Sequence, residues 1–307
     1  MSVLAVDIGG TAVKTGLVDK TGEVKRIRAA AYDLPVTKEG VLQALFRAAG
    51  SYSKEDYEGI AVSTTGQVED NGSIGYASDN IPGYAGTPLR EWLENTFGKR
   101  AVVVRDSMAM AWGEIAYGAG KDYTDFLCVT FGSGIGGALV INGQPYQGSN
   151  RGAGHVGHIT IRKDGEVCQC GKKGCFEAYA SAKALTERME KACCRRFNGK
   201  EIIQMAQEAG HGMKDTESAA ENTKQLAGKI LHEWIGDVCT GLASLIHVLN
   251  PACLVLGGGI MESDVVIEII RRELYNYVID ASGHFEIRQA VSGNAVNLAG
   301  AAYVYYK

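Results

Sequence analysis

His158 and three cysteines, Cys168, Cys170 and Cys175, fall within eighteen residues, with the cysteines spaced C-x-C-x4-C around Gly171 and Gly174. Thiolates and an imidazole at that density suit a tetrahedral zinc ion, and four protein ligands leave no open position at which a water is activated. The expected zinc is therefore structural. Three glycine runs invite a phosphate instead: Asp7-Ile8-Gly9-Gly10-Thr11, Phe131-Gly132-Ser133-Gly134-Ile135-Gly136-Gly137 and Leu256-Gly257-Gly258-Gly259, each behind a short apolar stretch. Glycines let backbone N–H groups reach an anion without a side chain in the way. Thr11 adds a hydroxyl donor, and Asp7 is placed to hold a magnesium ion through water. These runs are neither Walker nor Rossmann fingerprints, because Gly-Lys-Ser/Thr is absent and a strand is expected after each of the first two. Cys128, Cys193, Cys194, Cys239 and Cys253 show no ligand spacing and read as ordinary thiols.

The elements that must position these residues alternate from the start. Strands are expected at 3–6, 14–18 and 23–29, a helix at 39–49, a strand at 60–62, a helix at 89–97, a strand at 101–104 and a helix after Asp106. The opening pattern then recurs: a strand at 126–130, the second glycine loop, a strand at 138–141 and an Asn142-Gly143 turn repeat the strand, loop, strand and Thr21-Gly22 turn of the N-terminus. Two such halves predict a duplicated α/β fold with a glycine loop from each half facing a common cleft. Helices are expected at 176–196, 201–209 and 217–249, and a last one at 295–305 packs back on the first half. The domains expected are 1–117, joined by 295–307, and 118–294.

The chain has 307 residues, 46% of them hydrophobic and 21% charged, which supplies a core and excludes disorder. With 31 Lys and Arg against 35 Asp and Glu, the net charge is -4, and nucleic acid is not an expected partner. The residues 239–260 carry no Asp, Glu, Lys or Arg. His247, Asn250-Pro251 and Gly257-Gly258-Gly259 nevertheless divide them into a helix end, a short strand and a turn rather than a membrane span. Met1 to Val6 lacks a basic export signal, so a cytoplasmic protein without a membrane partner is expected.

The glycine motifs, together with Ala153-Gly154-His155-Val156-Gly157-His158 and Cys168-x-Cys170-Gly171-x-x-Gly174-Cys175-x-Glu177, stand in the order of the motifs of the ROK family (repressors, open reading frames, sugar kinases). The chain resembles that family over essentially its whole length. The resemblance implies an actin-like ATPase (ribonuclease H-like) fold, ATP and Mg2+ as cofactors, and phosphorylation of a sugar hydroxyl. The family's repressors carry an N-terminal DNA-binding domain, for which the first motif at Asp7 leaves no room, so the kinase branch is expected. By the same resemblance Asp106 is the catalytic base, a role compatible with capping the following helix. Gly9, Gly10, Thr11, Lys14, Gly132, Ser133, Gly134, Gly136, Gly257, Gly258 and Gly259 accompany Asp7 in binding the nucleotide. Gly66, Asn80 (alternatively a turn residue before Pro82), Arg105, Asp106, His155, His158 and Glu177 face the sugar, and a homodimer is expected.

Two positions depart from the family. Arg105 stands where Asn is usual and His155 where Glu is usual. Both changes predict a more electropositive pocket, and with it a modified sugar bearing an anionic or otherwise distinct group; ordinary hexose specificity in a repacked pocket is the alternative. Arg105 is also expected to depress the pKa of Asp106 unless its guanidinium points elsewhere. The departures leave a second function open, a catalytically weak sugar sensor on the same scaffold.

Overall fold

A computed structural model of the chain describes residues 1–10, 12–33, 35–77, 81–209, 219–290 and 295–307. They divide into two compact units, one formed by Met1–Phe126, Ala138–Gly154 and Ala290–Lys307, the other by Leu127–Gly137 and His155–Gln289.

In the first unit β1 (Ser2–Ile8), β2 (Ala12–Val18) and β3 (Val24–Ala31) form an antiparallel meander. The helix α1 (Lys38–Ala49) then leads to β4 (Tyr57–Thr64), which pairs parallel with β1. A small hairpin of β5 (Gln67–Val68) and β6 (Ile74–Tyr76) precedes α2 (Leu89–Phe97) and β7 (Ala101–Arg105), the latter parallel to β4. The sheet order is β3-β2-β1-β4-β7. Both faces are covered, which is why β1 reads as an unbroken apolar run. Leu4, Val6 and Ile8 enter a core with Leu45 and Leu93, while Val3 and Ala5 pack with Ala109, Leu298 and Ala301 on the opposite face. That opposite face is made by α3 (Asp106–Ala116) and α9 (Val296–Tyr306). The two approach so closely that a Cβ on Gly300 would lie 1.7 Å from the Ala109 carbonyl oxygen.

The second sheet comprises β8 (Phe126–Phe131), β9 (Ile135–Ile141), β10 (Gln144–Tyr146), β11 (Cys253–Gly257) and β12 (Glu286–Gln289). Its order, β10-β9-β8-β11-β12, is that of the first sheet element for element. The repeated strand–loop–strand pattern of the sequence is thus a repeated topology. Asn142 and Gly143, at φ 52 and 70, make the turn from β9 to β10.

The helix expected at 176–196 is two, α4 (Phe176–Ala180) and α5 (Ala182–Cys193), because Ser181 leaves helical geometry to cap α5 through the Ala184 N–H. They are followed by α6 (Gly199–Ala209) and α7 (Ala219–Leu249). The expected start of the last, 217–218, lies outside the described residues. Asn250 at φ 44 and Pro251 then end α7 before β11, and no helix among the described residues is long and apolar enough to cross a membrane. The helix α8 (Asp264–Leu274) is not among the helices expected from the sequence. Its Val-Val-Ile-Glu-Ile-Ile run has the composition of a strand, yet Val266, Ile267, Ile270 and Leu274 are buried at helical spacing.

Candidate active site

Asp7 stands at the end of β1, on the face toward α3 and α9, opposite Lys14 on β2 and Ser63 on β4. The residue is 9% exposed, and its Oδ1 accepts hydrogen bonds from Ser63 Oγ (2.7 Å) and Asn297 Nδ2 (3.3 Å). Burial pushes its pKa up, and the two hydrogen bonds and Lys14 only partly oppose this. A nearby cation would relieve that cost, so the site fits a metal held by Asp7. Beyond it, the Gly9 carbonyl accepts from Tyr32 (2.8 Å). Thr11 lies outside the described residues.

Asp106 begins α3, where β7 ends, and Arg105 occupies the helix cap position. Asp106 Oδ1 accepts the Ser107 N–H (2.6 Å), leaving Oδ2 for another partner. The expected depression of its pKa by Arg105 is outweighed: burial dominates and Asp7 adds to it, the Ser107 N–H and Arg105 oppose them only in part, and the carboxyl is pushed up to about 6. The guanidinium is directed away. Arg105 Nε donates to Ser107 Oγ (2.7 Å), Nη1 to the Arg151 carbonyl (3.2 Å) and Nη2 to the Ala153 carbonyl (2.6 Å). Arg105 is buried in doing so, and its own pKa falls through desolvation.

In the second unit the loops after β8 and β11 meet. Gly258, at φ 97, lies so near that a Cβ would sit 2.2 Å from the Phe131 carbonyl oxygen, so only glycine fits there. At Gly132 and Gly259, and at Gly10 in the first unit, a Cβ would meet no atom within 4 Å, and φ is not positive. Packing among the described residues gives no reason for glycine at these three positions, and the open backbone there is of the kind that suits an anion. Gly136 falls inside β9, which begins at Ile135 rather than 138. Ser133 borders a cavity of about 810 Å³ together with Gln169, Glu177, Ser181, Lys183 and Asp237.

Glu177, in α4, is buried and internally engaged. Its Oε2 accepts the Ile135 N–H (2.8 Å), and Oε1 accepts Gln169 Nε2 (2.8 Å). A Cβ at Gly134 would lie 2.4 Å from Glu177 Oε2, so a side chain there would displace that carboxylate. Gly66 likewise has a local cause, with φ 92 and the Tyr76 carbonyl 2.7 Å from a would-be Cβ. Asn80 lies outside the described residues. The roles of Ser63, Asn297, Ser107 and Gln169 had no sequence signal, since each is defined by a partner remote in sequence or by a bond its residue type alone does not require.

His158, Cys168, Cys170 and Cys175 offer ligand atoms that all lie within 4.8 Å of one another. Cys170 Sγ is 3.6 Å from Cys175 Sγ, and Cys168 Sγ is 3.8 Å from His158 Nδ1. A tetrahedral ion with bonds of about 2.0–2.3 Å has ligand separations of about this size, so the donor set fits zinc. Gly174 lets the loop fold tightly, its missing Cβ falling 1.8 Å from the Arg162 carbonyl oxygen. His155 and His158 are exposed, their ring centroids 6.2 Å apart.

Comparison with known proteins accords with this geometry. A glucokinase of Streptomyces coelicolor is 30% identical over 97% of this chain and 96% of its own length. An N-acetylmannosamine kinase of Shigella flexneri is 26% identical over 98% and 97%. The crystal structure of a ROK family glucokinase from Streptomyces griseus in complex with glucose and AMPPNP superposes with a TM-score of 0.82 at 30% identity, covering 99% of both chains. The two like-ordered sheets are those of the actin-like ATPase fold. A family model described as the ROK family matches residues 3–307, and the chain belongs to that family.

Proposed function

We propose that the chain is an ATP-dependent sugar kinase in which Asp106 takes the proton of a hexose hydroxyl as that oxygen attacks the terminal phosphorus. The observation that carries this reading is the Asp106 carboxyl itself. Half-buried at the end of β7, with Oδ2 unused and a pKa raised to about 6, it is mainly ionised at neutral pH yet basic enough to accept a proton. ATP supplies the transferred phosphoryl group and a leaving ADP. The chain's part is to position and neutralise: backbone N–H groups at Gly10 in one unit and at Ser133, Gly258 and Gly259 in the other are offered to phosphate oxygens, those of Gly9 and Gly132 already donating to the Ala12 and Gly134 carbonyls, and Asp7 would hold Mg2+.

His158 with Cys168, Cys170 and Cys175 holds a structural zinc. Bound there, it would anchor Cys168 and Cys170 on either side of Gln169, whose Nε2 donates to Glu177 Oε1. The sugar is a neutral hexose or an N-acetylhexosamine, as the names of the related kinases and the glucose bound in the Streptomyces griseus enzyme support. Arg105, with its guanidinium on backbone carbonyls, offers little to a sugar acid. A coupled ADP-release assay over neutral hexoses, N-acetylhexosamines and sugar acids tests the reading. Turnover highest with a neutral sugar is expected; sugar binding without any sugar-dependent ADP release would make the protein a sensor instead.

A further inference from the structure

Residues 147–153 run from the end of β10 into the His155-x-x-His158 motif without regular structure of their own. Local bonds hold them weakly: the Ala153 N–H donates to the Gln147 carbonyl (3.0 Å) and the Gly152 N–H to Asn150 Oδ1 (3.2 Å). Gln67 Nε2 reaches the Asn150 carbonyl (2.7 Å), and Arg151 pairs with Asp70 and, at 3.8 Å, with Glu69. Asp70 is 92% exposed and Glu69 45%, so those pairs contribute little. The buried contact is Arg105. Its two Nη groups end on the carbonyls of Arg151 and Ala153, alternate residues of one strand of chain, while Nε is fixed on Ser107 Oγ. A planar guanidinium bonded along three directions is a fork that a lysine ammonium cannot reproduce.

We propose that Arg105 is a positioning residue that clamps the Arg151–Ala153 backbone to the start of α3, beside Asp106, and thereby sets where the acceptor sugar sits, rather than binding an anionic group of it. The acceptor part rests on the kinase reading; the clamp does not. The two are tested separately in the full chain with Arg105→Lys, which keeps the charge and loses the fork, and Arg105→Gln, which loses both.

Amide hydrogen exchange without ligands comes first. Gly152, Ala153 and Gly154 should exchange faster by about tenfold or more in both variants, because charge-assisted hydrogen bonds are worth at least that factor. Ala109 to Ala111, inside α3, should keep their protection. In the ADP-release assay the sugar KM should rise by about the same factor in Arg105→Lys, with the ATP KM unchanged and kcat affected less. Added guanidinium should restore part of the sugar KM of Arg105→Gln. A residue needed only for folding would instead lower protection throughout α3 and move both KM values together. If Arg105→Gln does not fold, Arg105→Lys carries the test. Unchanged exchange at Gly152 to Gly154 in Arg105→Lys overturns the clamp, and faster exchange with an unmoved sugar KM overturns its role in placing the acceptor. Loss of turnover with a sugar acid alone, neutral sugars being unaffected, would show that Arg105 binds an anion and overturn the proposal. Clamp-dependent exchange in a protein that never turns over would leave the clamp standing and remove the kinase reading.

Discussion

Asp106 shows how burial and charge compete at one residue. Arg105 is adjacent in sequence, and adjacency alone predicts a depressed carboxyl pKa. The guanidinium turns to Ser107 and two loop carbonyls, desolvation and Asp7 prevail, and the carboxyl titrates at about 6. Two outcomes follow from the sign of that shift. With Asp106 as base, kcat/KM should fall about tenfold per pH unit below about 6, a limb to be read from the pH profile of sugar-dependent turnover. The folded carboxyl also binds its proton more tightly than in the unfolded chain, where 3.8 is the ordinary value. Its contribution to stability is therefore complete below 3.8 and is lost as the pH rises through about 6. Thermal melts at pH 8 should show Asp106→Asn no less stable than the parent; a markedly lower Tm would mean that the charged carboxylate has a stabilising partner. That Asp106 stands at a strand end was legible in the sequence, whereas the direction of its neighbour's side chain depends on a loop some forty-six residues on, to which no local pattern points.

At the scale of elements, the gathering of His158, Cys168, Cys170 and Cys175 was readable because residues of ligand type bunch in the sequence, and the glycine loops because each run follows an apolar strand. The zinc loop should hold about one zinc per chain by metal analysis, and Cys175→Ser should abolish that stoichiometry and lower Tm, since metal affinity contributes directly to folding of such a loop. Full metal content and an unchanged Tm in that variant would exclude the fourfold ligand set. The packing of α3 on α9 is a second element-scale test. A methyl at Gly300 would collide with the Ala109 backbone at 1.7 Å, so Gly300→Ala should cost about 3 kcal/mol or prevent folding, measured by denaturant unfolding. Less legible were elements decided by tertiary burial: α8 carries a strand-like composition, and the helix after Phe176 divides at Ser181 because a side-chain oxygen captures a backbone N–H.

For the molecule as a whole, duplication was visible as a repeated strand–loop–strand–turn, and it reappears as two sheets with one strand order. Which sugar is taken was not legible, because acceptor specificity depends on the placement of a few side chains, not on the pattern that specifies the fold. The central claim is that this family member transfers a phosphoryl group to a sugar hydroxyl with Asp106 as base. Its most direct measurement is sugar-dependent ADP release by the parent chain and by Asp106→Asn, with folding of both confirmed. Release is expected in the parent with a neutral hexose or N-acetylhexosamine, reduced by about 10²- to 10⁴-fold in the variant. Near-equal rates in the two proteins, or no sugar-dependent release by the parent, would contradict it.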